Sequence, residues 1–300
     1  MKLYAYHLVG SKAGKVSLKR NFIYLEKIMP TLIEIGEDGA LMTKNLDIPQ
    51  TENIYPLVQN KFLSTEVTNK FLSDENFINN AIEELINYLD ENKYNGINLD
   101  LEGVKKKNKE AYHLFIKKLK EKMKNKYKLD LSIPAKTENH IDTGWAGAYD
   151  YKYLGQIADN INIMAYDYHW SGGMPGPIAP LSWVYNVIDY AIMEIKAEKV
   201  LIGLAAYGYD WVIEPQLKKA RGLSYKGILA LMEKMNIRAE WDQESETPYF
   251  KYEDEEGLHE VWYENELSLK KKINLIKKFQ IKGGSLWRLG LEDPKFWNHL

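Results

Sequence analysis

Apolar residues alternate with polar ones, or recur at helical spacing, in turn along most of the chain. "LYAYHLV" (Leu3 to Val9) predicts a first strand, and "TLIEI" (Thr31 to Ile35) a second that stops at the turn pair Asp38-Gly39. "NIYPLV" (Asn53 to Val58) predicts a third. Phe77, Ile78, Ala81, Ile82, Leu85, Ile86 and Leu89 then recur at helical spacing, with Ser73 as the expected N-cap. The strand pattern "GINLDLE" (Gly96 to Glu102) follows, and then an amphipathic helix over Asn108 to Lys126 whose many lysines read as a solvated face. "LDLSIPAK" (Leu129 to Lys136), "NINIMAYDYHW" (Asn160 to Trp170), "KVLIGLAAYGYDW" (Lys199 to Trp211) and "GGSLWRLG" (Gly283 to Gly290) are further strand patterns. Helical patterns at Leu181 to Ile195 and Leu267 to Phe279 fall between them. The N-terminal "MKLYAYHLVGSKAGK" reads as strand then loop, with no sustained apolar segment of signal-peptide type.

Strand followed by helix, over and over, argues for a parallel sheet. Eight strand candidates in 300 residues fit an α/β fold of the (β/α)8 TIM-barrel type. A doubly wound open sheet is the alternative, but no strand leads into a Gly-rich phosphate loop. One region breaks the rhythm. Between Trp211 and Tyr263 lies a helix pattern (Tyr225 to Met235) followed by short strand-like pieces, "AEW", "PYFKY" and "HEVWY", separated by acidic turns. The expectation is one domain over residues 1–300, with a small α+β insertion at 211–263 between strand 7 and helix 7. Such an insertion lies on the face where barrel loops build clefts.

The strand at Gly96 to Glu102 departs from the rule that parallel strands are apolar on both faces. Alternation sends Ile97, Leu99 and Leu101 under the helices and Asn98, Asp100 and Glu102 into the lumen, with Glu102 nearest the rim. An unpaired buried carboxylate costs several kcal/mol. Three inward polar residues ending at the functional face therefore argue for a site rather than for packing. Asp100 and Glu102 stand on one side of one strand, roughly 6.6 Å apart along it. They approach a substrate from one direction, unlike the opposed acid and nucleophile of a double-displacement glycosidase. Proximity couples their titrations and keeps one proton available near neutrality. Glu102 as a general acid then needs its nucleophile from water or from the substrate.

Composition narrows the partners. Net charge is −2, from 40 Lys+Arg against 42 Asp+Glu, which predicts no nucleic-acid partner and no strong attraction to membranes. No run reaches the roughly 20 apolar residues of a membrane span. There is no cysteine, so disulfides, thiolate metal sites and a Cys nucleophile are excluded, while the compartment stays open. The 6 His residues show no metal-ligand spacing and no G-x-S-x-G elbow is present, so no metal, cofactor or serine triad is expected. Aromatics are 12%, with 21 Tyr and 8 Trp, which favours a surface for flat amphipathic ligands such as sugars.

"NGINLDLE" resembles the DxxDxDxE motif of glycoside hydrolase family 18, carried on strand four of a (β/α)8 barrel, with Asn95, Asn98, Asp100 and Glu102 at the four acidic positions. "MAYDYHW" (Met164 to Trp170) resembles the strand-six Met-x-Tyr-Asp motif, and "LWRLG" (Leu286 to Gly290) the strand-eight segment whose tryptophan lies under the sugar. "YDYHWSGGMPGPIAPLSWV", "LIGLAAYGYDW", "HEVWYEN" and "GGSLWRLGLEDPKFW" are similar to the bacterial spore branch of the family, N-acetylglucosaminidases that lyse cortex fragments. The likeness covers nearly the whole chain. It implies substrate-assisted, retaining chemistry. Glu102 is then the acid, Asp100 the group that orients the substrate's acetamido N–H, and Tyr166 the partner of the acetamido carbonyl. Trp287 is the floor beneath the sugar, and Asn98, Met164, Asp167, Trp170 and Tyr6 are the remaining substrate-binding candidates. The implied partner is a polysaccharide containing N-acetylglucosamine, peptidoglycan or chitin-like, bound by a monomer. Spore or cell-wall association is implied too, although no peptidoglycan-binding repeat is visible.

Two of the four acids are Asn here. Asn95 precedes the strand core and reads as structural. Asn98 keeps a hydrogen bond for Asp100 but no charge, which leaves the Asp100 pKa less perturbed. Strict alternation turns Asp167 away from Tyr166, while the resemblance brings it to the substrate. Trp170 and His169 either wall the cleft or pack their loop. Tyr207 and Tyr209 read as core rather than site; Tyr6 carries the same two readings. A silent sugar-binding barrel, a chitinase and an N-glycan deglycosylase are the competing functions, and the fold alone does not choose among them.

Overall fold

The alternation of strand and helix closes into a ring. The computed structural model describes residues 3–139 and 146–300. The strands are β1 (Leu3–His7), β2 (Leu25–Ile35), β3 (Leu41–Thr43), β4 (Leu57–Asn60), β5 (Gly96–Asp100), β6 (Lys128–Pro134), β7 (Asn160–Met164) and β8 (Val200–Ala205). They continue with β9 (Tyr207–Glu214), β10 (Arg221–Ser224), β11 (Glu240–Asp242), β12 (Thr247–Asp254), β13 (Gly257–Tyr263) and β14 (Gly283–Trp287). Strands β1, β2, β4, β5, β6, β7, β8 and β14 pair in parallel in that order, and β14 returns to β1. This is the expected eight-stranded barrel. β3 adds a short antiparallel edge to β2.

The helices are α1 (Lys12–Asn21), α2 (Thr65–Phe71), α3 (Glu75–Asn92), α4 (Lys109–Met123), α5 (Tyr151–Ile157), α6 (Leu181–Glu194), α7 (Tyr225–Met235) and α8 (Glu266–Phe279). Among the described residues no helix is long and apolar enough to cross a membrane. The period-2 pattern of β5 is used as expected. Ile97, Leu99 and Leu101 join the main core with Ile82 and Leu85 of α3 and Phe115 and Ile116 of α4. The lumen holds a separate, small apolar cluster of Tyr4, Tyr6, Met29, Tyr55, Leu57 and Leu201.

Several boundaries differ from expectation. The N-cap of α3 is Asp74, which accepts from the Asn76 N–H; Ser73 instead donates to the Lys70 carbonyl at the end of α2. The segment after β1 is helical from Lys12. Ser11 caps it, accepting from the Gly14 N–H at 3.0 Å, and only Gly14, Ser17 and Leu18 are buried, too few apolar positions to display a period. β7 ends at Met164, so Tyr166 to Trp170 belong to a loop. The run read as one strand from Lys199 is two: β8 in the barrel and β9 in a second sheet, parted by Ala206 alone.

That second sheet is antiparallel, in the order β10-β9-β13-β12-β11. Helix α7 packs on it through Ile228, which meets Phe250, Tyr252, Val261 and Tyr263. Where the chain returns to the barrel, Glu264 is fully buried. Lys272 of α8 donates to its oxygens at 2.8 and 2.7 Å, and the Ser268 hydroxyl donates at 2.6 Å. Burial pushes the Glu264 pKa up, and Lys272 pulls against it. Lys272→Met leaves that carboxylate buried without its cation. The expected cost is about 3–5 kcal/mol, a fall in Tm of about 10 °C. Glu264→Met added to Lys272→Met should recover most of it, since an apolar pair is well tolerated where an ion pair was buried. Thermal unfolding of the two variants checks this; a Lys272→Met Tm at the wild-type value contradicts it.

Candidate active site

The polar row of β5 climbs to the rim where all barrel strands end. Asn98 is fully buried, Asp100 is 5% exposed, and Glu102 sits half-buried just past the strand. Asn98 Oδ1 accepts from the Ser132 hydroxyl at 2.8 Å and the Tyr6 hydroxyl at 3.4 Å. The Tyr6 and Ser132 hydroxyls lie 2.7 Å apart, Asn162 Nδ2 donates to Tyr6 at 2.7 Å, and Ser285 donates to Asn162. Residues from β1, β5, β6, β7 and β14 thus share one network under the site. It fixes the Asn98 amide by its oxygen. The expected bond from Asn98 to Asp100 does not form, and Asn98 Nδ2 is buried without a partner among the described residues. Asn95, at the foot of the strand, is exposed and donates to the Glu52 carbonyl at 3.1 Å, a structural contact.

Asp100 has one hydrogen-bond partner among the described residues. Gln59 Nε2 donates to its Oδ2 at 3.3 Å, and its Oδ1 is buried and unpartnered. Burial raises the Asp100 pKa well above the usual carboxylate range, the charge of Glu102 adds to this, and Gln59 opposes it. The Glu102 backbone is clamped: its N–H donates to Asn60 Oδ1 at 2.9 Å and its carbonyl accepts from Thr68 at 2.8 Å. Burial, then the nearby charge of Asp167, raises the Glu102 pKa to about 7. A proton is therefore available at neutral pH, and the negative charge that helps keep it there is that of Asp167.

Asp167 is turned toward the site, against the alternation expected of a strand. The strand has already ended, and Asp167 takes a left-handed φ of 58°, a conformation Asp tolerates better than most residues. Its Oδ1 accepts from the Tyr207 hydroxyl at 2.5 Å and from Tyr209 at 3.1 Å. Tyr207 is buried as core, but both tyrosines also hold this carboxylate. Asp167 stays open to the pocket while protein surrounds it on the other sides. Burial pushes its pKa up, and the two hydroxyls pull it down. The Tyr166 ring lies against Gly203 of β8, where a Cβ would come within 2.6 Å of it. Burial, first of all, pushes the Tyr166 pKa up, so its hydroxyl stays protonated as a donor.

Glu102, Met164, Tyr166, Asp167 and Trp170 line one cavity of about 580 Å³, together with Pro134, Ala135 and Trp183. Trp170 is 56% exposed and its ring lies against Gly172, where a Cβ would fall 2.3 Å from it. His169 Nδ1 donates to the Met174 carbonyl at 3.0 Å and packs its loop. Tyr6, Asn98 and Asp100 lie beneath this cavity rather than on its wall. Trp287 ends β14 half-buried, its ring 5.1 Å from Tyr6 in an edge contact, and it packs with Ile178, Ala205 and Tyr207. Sequence reasoning missed Trp183, Gln59 and Asn60. Trp183 lies inside an amphipathic helical pattern and reads as core. Gln59 and Asn60 end a strand and carry no motif. Among the described residues no group of His, Cys, Asp and Glu is gathered as a metal site.

Residues 64–292 match the model of glycosyl hydrolases family 18. A cortical fragment-lytic enzyme of Bacillus anthracis is 32% identical over 280 residues, 89% of this chain and 65% of that protein. The match to a cortical fragment-lytic enzyme of Bacillus cereus, also 32% identical, covers 62% of its length, so the chain spans a little under two thirds of these curated relatives. The spore cortex-lytic enzyme of Bacillus megaterium superposes with a TM-score of 0.87 at 26% identity, over 99% of this chain and 72% of that one. A chitinase from Chromobacterium violaceum superposes with a TM-score of 0.88 at 26% identity, over 99% and 97%. With the closed barrel and the acid-lined cavity at its rim, this extent of agreement has one meaning: the chain belongs to glycosyl hydrolases family 18.

Proposed function

We propose that the protein is a retaining, substrate-assisted β-N-acetylglucosaminidase that hydrolyses peptidoglycan, spore cortex or its fragments. The observation that carries this reading is the one-sided acid: Glu102, with a pKa of about 7, at the mouth of a cavity, and Asp100 two residues below it on the same strand. Glu102 gives its proton to the glycosidic oxygen as that bond breaks. The carbonyl oxygen of the sugar's own 2-acetamido group attacks the anomeric carbon from the other face, forming an oxazolinium ion. Asp100 accepts from the acetamido N–H and balances the positive charge, and the Tyr166 hydroxyl donates to the acetamido oxygen. Water then opens the ring, giving its proton to the Glu102 carboxylate, and the configuration is retained. Trp287 floors the sugar site, and Tyr6, Asn98, Met164, Asp167 and Trp170 complete it. The protein works as a monomer without a cofactor, one catalytic domain over 1–300 with the 211–263 subdomain beside the cleft.

The peptidoglycan substrate is supported by what the Bacillus relatives are named for, lysis of cortex and its fragments. Chito-oligosaccharides are the second reading, supported by the chitinase superposition. Both polymers carry the acetamido group that the chemistry requires. The test compares N-acetylated fragments with their N-deacetylated forms and follows the newly formed anomer by NMR. Loss of cleavage on deacetylation, with the β-anomer formed first, is the expected result. An α-anomer formed first, or equal cleavage of both forms, overturns substrate assistance.

A further inference from the structure

Asp100 is held from the neighbouring strand, not from its own. β4 and β5 are paired so that Gln59 lies opposite Asp100 and Leu57 opposite Asn98. This register turns the Gln59 side chain into the lumen beside the carboxylate. Its Nε2 donates to Asp100 Oδ2 at 3.3 Å. Asn98, the residue expected to hold Asp100, is engaged instead with Ser132 and Tyr6. The next residue of β4, Asn60, accepts the Glu102 N–H at 2.9 Å and donates to the Ser64 carbonyl at 3.1 Å. Two consecutive residues of one strand therefore hold the Asp100 carboxylate and the Glu102 backbone.

The other oxygen, Asp100 Oδ1, is buried with no partner among the described residues. A buried acceptor left unpaired is costly, and a ligand donor that meets it recovers that cost. Gln59 fixes one oxygen of the carboxylate and leaves the second for such a donor. We infer that Gln59 is a positioning residue: by holding Asp100 Oδ2 it presents Asp100 Oδ1 to an amide N–H of the substrate. This rests on the role proposed above for Asp100. It adds a residue outside the acidic motif to the machinery.

The titratable groups that feel Asp100 are Glu102 on its own chain segment, Tyr6 of β1, Tyr112 of α4, and Tyr149 and Tyr166 from the loops. None of these is a cation, so Gln59 supplies the donor that favours the charged form. Gln59→Ala is expected to lower kcat about tenfold, the scale of one hydrogen bond to a charged group, with KM nearly unchanged. Asp100 must be ionised to accept the N–H. Without the Gln59 donor its pKa rises, so the acidic limb of the kcat profile moves to higher pH. Gln59→Glu adds a further carboxyl that donates only while protonated, so its activity should fall further as pH rises through that titration. A merely structural role would lower Tm and leave the shape of the profile alone.

The experiment measures kcat, KM, pH profile and Tm for wild type, Gln59→Ala, Gln59→Glu and Asp100→Asn on N-acetylglucosamine-containing oligosaccharides. A shifted acidic limb and reduced kcat in Gln59→Ala at wild-type Tm support the inference. If Asp100→Asn is nearly inactive while Gln59→Ala keeps the wild-type kcat and profile, the inference fails and the role of Asp100 stands. If Asp100→Asn is fully active, the role of Asp100 falls and this inference with it.

Discussion

Glu102→Gln should fold as the wild type does and lose about 10³-fold in kcat, the mid-range loss for removal of a general acid. The amide keeps the shape of the side chain. The Asn60 and Thr68 contacts reach only the backbone at this position, so they survive the substitution. What is lost is the proton. In the wild type, burial and Asp167 hold the Glu102 pKa at about 7, and the working form is the protonated one. Activity should therefore fall as pH rises through about 7, because an acid with a raised pKa gives up its proton there. That basic limb should vanish from the residual activity of the variant. Substantial retained kcat, or an unchanged basic limb, removes Glu102 as the acid.

Asp100→Asn should lower kcat by about 10²-fold or more, the scale of one preorganised electrostatic contact to a developing charge. The effect on stability should have the opposite sign. Asp100 is almost completely buried, and burial is the largest cause of its raised pKa. Its folded-state pKa lies above the unfolded one, so the charge costs stability at neutral pH, and that cost disappears as pH falls and the group protonates. Asn retains an oxygen for Gln59 and carries no charge, so Tm at neutral pH should hold or rise. Faster unfolding and lost activity together would point to a packing role. Lost activity at equal or higher Tm is what a strained functional carboxylate predicts.

The sequence displayed the acid and hid much of its surroundings, for physical reasons. The polar row in β5 stood out because a parallel strand has no solvent face to excuse it. The helices α3, α7 and α8 were legible from the 3.6-residue period, since each buries one apolar face. The orientation of Asp167 was not legible, because it depends on a left-handed residue after the strand and not on period. Trp183 lay hidden in the amphipathic pattern of α6, where a pocket-facing ring and a core ring occupy similar positions. Gln59 and Asn60 act across the β4–β5 register, and a single sequence does not state which strands are neighbours or in what register. The start of the second sheet at Tyr207 was invisible because the chain passes from β8 to β9 through Ala206 with no turn residue between.

The central claim joins one acid to one class of bond, and product analysis tests both at once. Wild-type protein and Glu102→Gln are incubated in parallel with muramyl cortex fragments and with chito-oligosaccharides, and the products are weighed by mass spectrometry. The account predicts Glu102-dependent cleavage on the reducing side of N-acetylglucosamine in the cortex fragments. Cleavage of chito-oligosaccharides alone would contradict the peptidoglycan reading and favour the chitinase one, and products that form equally well without Glu102 would contradict the account itself.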